Sequence, residues 1–142
     1  MSVQTNQSVA EAARQHFNTG DVETYLTTLY APDCVAHFLP PGMPQGHAGL
    51  RLFYGAFAAG FPDAQLHFDA VLAEGDDLAV RYHIDATHSG EFNGIPATGK
   101  RVSFSGTTIL CFKDGKVVER WSESDFLGLL QQVGAIPPLV AA

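Results

Sequence analysis

THSGEFNGIPATGKRVSFSGTTILCFKDGKVVERWSESDFLGLLQQVG, residues 87–134, is the stretch that decides the fold. Residues 101–113 and 116–125 read as two strands joined at Asp114-Gly115, a two-residue hairpin signal. A further strand over 78–89 enters the segment through the Gly/Pro-punctuated connection 90–100, so three consecutive antiparallel strands are predicted. Glu119, Trp121, Glu123 and Asp125 fall at even spacing on the last of them. Even spacing puts them on one face of a sheet. Carboxylates beside a Trp on a face expected to be apolar mark either a solvated surface or a pocket.

Upstream of 78 the period of two continues. Leu66, Phe68, Ala70 and Leu72 alternate with His67, Asp69 and Val71, and Glu74-Gly75-Asp76-Asp77 reads as a hairpin turn. Before that the pattern is helical. Leu50, Phe53, Tyr54 and Phe57 lie at i, i+3, i+4 and i+7 in a helix over 46–60. A short strand is expected over 34–39, closed by Pro40-Pro41-Gly42. Ser8 and Glu11 have capping-box spacing for a first helix over 8–18, and Asp21 caps a short second one over Val22, Tyr25, Leu26 and Leu29. Residues 126–133 complete the chain as a short helix ended by Gly134. Helices followed by an antiparallel meander define an α+β class.

The 142 residues predict a single domain, 1–142, with residues 1–7 and 135–142 as flexible tails. Eight Lys+Arg against 15 Asp+Glu give a formal charge of −7, which argues against nucleic acid and against an anionic membrane surface. The N-terminus shows no signal-peptide h-region and no apolar run approaches membrane-spanning length, so a cytoplasmic protein is expected. Cys34 and Cys111 read as reduced, packed thiols. His83 and His88 are five apart and face opposite sides of a strand, and no H-x-H, H-E-x-x-H or C-x-x-C occurs, so no metal site is expected. Gly90, Gly94 and Gly99 lie between strands rather than opening a helix, so the dinucleotide fingerprint fails.

H-S-G-E-F-x-G-I-P-A-T-G-K (88–100), F-x-D-G-K-V-V-E-x-W (112–121) and S-D-F-L-G-L-L-Q-Q-V-G (124–134) resemble the SnoaL-like polyketide cyclase family. That family is also called ester cyclase and belongs to the NTF2-like superfamily. C-V-A-H (34–37), G-H-A-G-L-R-x-F-Y (46–54), F-P-D-A (61–64) and E-G-D-D-L-A-V-R-Y (74–82) fit the same pattern. The resemblance implies a cone-shaped barrel, a curved antiparallel sheet wrapped over three N-terminal helices, and a homodimer formed through the sheet. It further implies an intramolecular aldol condensation without metal or cofactor, with an Asp near the end of the last strand as acid/base. Asp125 stands at that position.

A carboxyl in an apolar pocket can remove a proton α to a carbonyl and return it to the new alkoxide, because burial raises its pKa. Asp125 is therefore the expected catalytic residue, with His37 and His88 polarising a carbonyl and Trp121 as the cavity wall. Asp125 equally fits the N-cap of the helix that starts at Phe126. Glu119 is expected in the cavity floor or paired with Arg81, whereas Glu123 reads as surface. Arg81 and Asp85 share a face with His83 as either a cavity network or a solvated ladder. Phe53, Tyr54 and Phe57 are the candidate lining from the third helix. The expected ligand is a small, flat, apolar carbonyl or aromatic compound.

Two other readings stay open. A ketosteroid-isomerase-like site pairs an Asp base with a Tyr/Asp oxyanion hole, but the first strand offers His37 and Phe38 and no carboxylate. An epoxide-hydrolase-like Asp-Arg-Asp network could be imitated by Asp125, Arg81 and Asp85. The other class is a non-catalytic ligand-binding dimeric module. A closed apolar pocket containing Asp125 favours an enzyme; a pocket filled by its own side chains, with Asp125 bonded only to backbone, favours the module.

Overall fold

A computed structural model of the chain describes residues 3–139. Four helices, α1 (Val3–Asn18), α2 (Val22–Leu29), α3 (Gly46–Gly60) and α4 (Phe126–Gln132), accompany five strands. The strands are β1 (Tyr30–Ala36), β2 (Gln65–Glu74), β3 (Asp77–Thr87), β4 (Arg101–Lys113) and β5 (Lys116–Ser124). They form one sheet in the order β1-β5-β4-β3-β2, with β1 parallel to β5 and every other pair antiparallel. The sheet curves over the helices without closing, so the expected barrel is an open one.

The α+β class and the four-strand meander stand as predicted. The first strand begins at Tyr30 rather than residue 34 and ends at Ala36, before His37. The first helix begins at Val3, so residues 3–7, expected to be a frayed tail, continue it. Of the predicted tails, residues 1–2 and 140–142 lie outside the described residues.

The inner face of the sheet is the core. Along β3, Leu78, Val80, Tyr82, Ile84 and Ala86 are buried, and along β4 the buried set includes Val102, Phe104, Thr108, Leu110 and Phe112. Period-two alternation sends the intervening residues outward. Helices α1 to α3 close the open side with Ala13, Phe17, Leu26, Leu50, Tyr54 and Phe57.

Helix α1 is fastened to the sheet through Asn18. Its side chain donates to the Leu66 carbonyl at 3.0 Å and accepts from the Leu66 N–H at 2.6 Å. This two-way pairing imitates a strand neighbour at the free edge of β2 and fixes where α1 lies.

Two irregularities set side-chain direction. The register shifts between Cys111 and Phe112, where Phe112 pairs with Val117 and Cys111 with Glu119, leaving Val118 as the extra residue in β5. A second shift lies between Phe68 and Ala70, leaving Asp69 as the extra residue in β2. A bulge changes which face the following residues present.

Candidate functional site

The bulge at Val118 decides what the end of β5 places inside. Val117 points inward, but after the extra residue it is Arg120, Ser122 and Ser124 that line the interior, while Glu119, Trp121 and Glu123 point outward. The inner face holds a cavity of about 90 Å³ between the sheet and the helices. Its apolar walls include Phe17 of α1, Phe53, Tyr54 and Phe57 of α3, and Phe104 and Leu110 of β4. Phe38 and Phe126, partly exposed, stand with Phe53 where the cavity meets solvent.

Arg120 is the dominant polar group. Its Nε donates to Thr108 Oγ1 at 2.7 Å, and the Thr108 hydroxyl in turn donates to the Trp121 carbonyl at 2.7 Å. Its Nη1 donates to Tyr54 Oη at 2.9 Å, to Tyr25 Oη at 3.3 Å, and to Tyr30 Oη. The Phe38 ring lies over the guanidinium, 5.1 Å from its carbon, a further favourable cation–π contact. The hydroxyls also bond one another: Tyr25 donates to Tyr54 at 3.1 Å, and Tyr30 and Tyr54 share a bond of 2.9 Å.

Among the described residues no carboxylate pairs with Arg120, and Nη2 has no acceptor. Burial works against its charge, but the tyrosine oxygens around it outweigh burial and raise its pKa further. Burial pushes the Tyr30 and Tyr54 hydroxyls well above their ordinary value, so both stay protonated at neutral pH. The result is a buried, unpaired positive charge with free N–H groups in an apolar chamber. An isolated buried charge is costly; oxygen atoms of a bound ligand would complete its coordination.

A second polar station lies further along β5. Tyr82 Oη bonds to Ser124 Oγ, and to Ser122 Oγ at 3.4 Å. Gly106 makes room for it, because a Cβ there would stand 2.6 Å from Tyr82 Cζ and 2.9 Å from the Glu123 carbonyl. At a strand rise of about 3.4 Å per residue, Arg120 and Ser122 are about 7 Å apart along the wall.

The expected site residues divide sharply. Phe53, Tyr54 and Phe57 line the cavity. Trp121 does not wall it: its side chain is 44% exposed and stacks at 4.9 Å on His37, on the outer face. Glu119 is bonded there to His37 Nε2 at 2.7 Å, not to Arg81, because β4 separates β5 from β3. His37 is likewise outside, while its neighbour Phe38 points in. His88 is fully buried but away from the cavity, stacked on Phe61, with Nδ1 2.9 Å from Thr98 Oγ1. Arg81 and Asp85 lie on the outer face, Arg81 donating to Thr107 Oγ1 at 3.4 Å. Asp125 is exposed and accepts from the Gly128 N–H at 2.9 Å as the N-cap of α4. The cavity lining contains no Asp, Glu or His.

Arg120 and the Tyr82–Ser122–Ser124 station were not singled out in the sequence. The signal that could have found Arg120 is a cation in the strand interior, on the phase opposite Glu119 and Trp121.

A curved α+β sheet closed by helices around an apolar cavity with a few polar groups is the NTF2-like design for holding a small molecule. The model of the SnoaL-like polyketide cyclase family matches residues 7–133, and the chain belongs to that family. Solved structures agree in fold and extent. TsrD from Streptomyces laurentii is 29% identical with a TM-score of 0.85, covering 96% of this chain and 99% of its own. AclR from Streptomyces galilaeus, a proposed hydroxylase, is 30% identical with a TM-score of 0.86, covering 98% and 87%. IdmH from Streptomyces antibioticus, a proposed polyketide cyclase, is 32% identical with a TM-score of 0.78, covering 91% and 98%. No curated protein matches the chain. Among the described residues no helix is long and apolar enough to cross a membrane.

Proposed function

We propose that the protein is a cyclase-type enzyme acting on a small, flat, oxygenated carbonyl compound held in the cavity, with Arg120 binding the oxygen on which negative charge develops. The observation that carries this reading is the buried guanidinium with Nη2 unpartnered in an apolar chamber. In an aldol-type closure a carbon α to a carbonyl loses a proton and its enolate attacks a second carbonyl. A C–C bond forms, and the attacked C=O becomes an alkoxide that takes up a proton. Both the enolate and the alkoxide are oxyanions. A fixed cation in a water-poor cavity stabilises such oxyanions more than it stabilises the neutral ketone. In this reading the Tyr54 hydroxyl, bonded to Arg120 at 2.9 Å and kept protonated by burial, gives the alkoxide its proton and regains one from solvent after product leaves, as the base returns to solvent the proton it took.

The base belongs at the rim, because no carboxylate lines the interior. Asp125 sits between the wall residues Ser124 and Phe126 and is our proposed base. The role requires its carboxylate to leave the Gly128 N–H. The Tyr82–Ser122–Ser124 station supports a ligand with a second oxygen further along the wall from the first. Free space in the cavity is smaller than the roughly 300 Å³ of the smallest usual ligand pockets. A multi-ring substrate therefore displaces Phe38, Phe53 or Phe126. A homodimer through the outer sheet face belongs to the same reading, supported by exposed Val35, Ile109 and Trp121 on adjacent strands β1, β4 and β5.

The alternative of a non-catalytic binding module is favoured by Asp125, which lies outside the cavity lining and bonds only to backbone, but not by an apolar cavity that its own side chains leave unfilled beside an unpaired cation. A crystal soaked with an enolisable aromatic 1,3-diketone tests the proposal. The expected density puts a ligand oxygen on Arg120 Nη2; a ligand seated with its oxygens away from Arg120 would overturn it.

A further inference from the structure

The outer face of the β2–β3 pair carries a cluster that the cavity does not use. His67 and His83 are directly opposite across the two strands, and Asp85 is two residues beyond His83 on the same face. The imidazole rings stack at 4.6 Å. His67 Nε2 lies 3.5 Å from Asp85 Oδ2, and His83 Nε2 lies 3.6 Å from the same oxygen. One ligand atom from each of the three residues falls within 4.8 Å of the other two. We infer that His67, His83 and Asp85 form a site for a divalent cation of the zinc class.

The geometry fits that class. Zinc bound to imidazole nitrogen and carboxylate oxygen at about 2.0–2.1 Å puts neighbouring tetrahedral ligands about 3.4 Å apart. Two of the three edges are close to that length; the third lies within 4.8 Å and closes when the imidazoles rotate out of their stack so that the two in-plane lone pairs converge on the ion. Two imidazoles and one carboxylate select zinc and its neighbours over magnesium or calcium, which prefer all-oxygen shells. The fourth position faces solvent, because the three side chains are 45%, 35% and 34% exposed.

Asp69 supplies the supporting contact. Its carboxylate oxygens stand 2.8 and 2.9 Å from His83 Nδ1. A carboxylate holding Nδ1–H fixes the tautomer that leaves Nε2 free for a metal, an arrangement common around bound zinc. The bulge makes this possible, since Asp69 is the extra residue of β2 and is re-aimed toward its neighbour. Charge points the same way. Among the described residues no Lys or Arg pairs with Asp69 or Asp85, so two carboxylates face two imidazoles that are neutral when they ligate. A dication balances that charge. The cluster lies on the opposite face of the sheet from the cavity, so the inference stands independently of the cyclase reading.

The test is calorimetric titration of the EDTA-treated full chain with zinc ion, with cobalt absorption as a second readout. Saturable binding at one ion per chain is expected, with tetrahedral cobalt bands. His67→Ala and Asp85→Asn should each weaken binding on the order of 100-fold, while His16→Ala on α1 leaves it unchanged. Asp69→Asn, which removes no ligand, should weaken it roughly 10- to 100-fold with the stoichiometry kept. Circular dichroism verifies that each variant is folded. Absence of saturable binding, or undiminished affinity in folded His67→Ala or Asp85→Asn, overturns the site; undiminished affinity in Asp69→Asn overturns the positioning role of Asp69.

Discussion

Asp125 holds the first turn of α4 through the Gly128 N–H. Loss of an N-cap costs about 0.5–2 kcal/mol, and Asn caps about as well as Asp. Asp125→Ala should therefore lower stability by about 1 kcal/mol in urea denaturation, with Asp125→Asn close to wild type. Turnover separates cap from base: if the carboxylate removes the substrate proton, Asp125→Asn is inactive though stable, and full activity in that variant removes Asp125 from the chemistry. Arg120 shows why the site was harder to read than the scaffold. In the sequence, Glu119, Trp121 and Asp125 alternate in phase with buried Val117, so they appear to face inward. One extra residue at Val118 reverses the phase. Nothing local announces that bulge, since its cause is the pairing of β5 with β4.

Helices and hairpins were more legible because their signals are local. The Asp114-Gly115 turn, with Asp114 and Gly115 both at positive φ, joins β4 to β5 where the dipeptide predicts. The four-residue apolar spacing of α3 delivers Phe53, Tyr54 and Phe57 to the cavity wall. The placement of α1 has no such signal: it depends on Asn18 meeting the Leu66 backbone, 48 residues away. Asn18→Ala removes both bonds and leaves the Leu66 N–H unsatisfied at a partly buried edge, while the Leu66 carbonyl keeps the Arg14 guanidinium at 3.2 Å. A loss on the order of 2 kcal/mol is expected, with faster amide exchange at Leu66 than at the centre of β3. Stability within a few tenths of wild type would show that α1 is held without the Asn18 side chain, by apolar packing and the Arg14 and Gln65 bonds.

At the scale of the whole molecule, several surface carboxylates are held below their usual range. The Arg14 guanidinium bonded to Glu11 lowers that carboxyl, and the Thr24 hydroxyl and N–H lower Asp21. Burial acts to raise Asp63, but the Thr87 N–H at 2.7 Å and the Arg101 guanidinium at 3.1 Å outweigh it. A carboxylate whose pKa is lower folded than unfolded contributes stability above its unfolded value, about 4. That contribution disappears as pH falls through the lower folded value. Urea midpoints should be flat from about pH 7 to 5 and decline below about 4. Asp63→Asn should make that decline shallower, and an unchanged slope would show that Asp63 is not among the groups that matter.

The proposed function turns on the buried charge of Arg120. A buried cation without a carboxylate partner stabilises the fold little, and an apolar side chain of similar volume is often neutral or better. Arg120→Met should therefore keep or raise the melting temperature. It should also weaken binding of an enolisable aromatic 1,3-diketone about 100-fold, equivalent to about 2.7 kcal/mol, with little effect on the matching hydrocarbon. Calorimetric titration of wild type and Arg120→Met with that diketone is the decisive comparison. A large, diketone-specific loss of affinity in a folded variant is the expected result; equal affinity in the two proteins would contradict the assignment of Arg120 as the oxyanion-binding group.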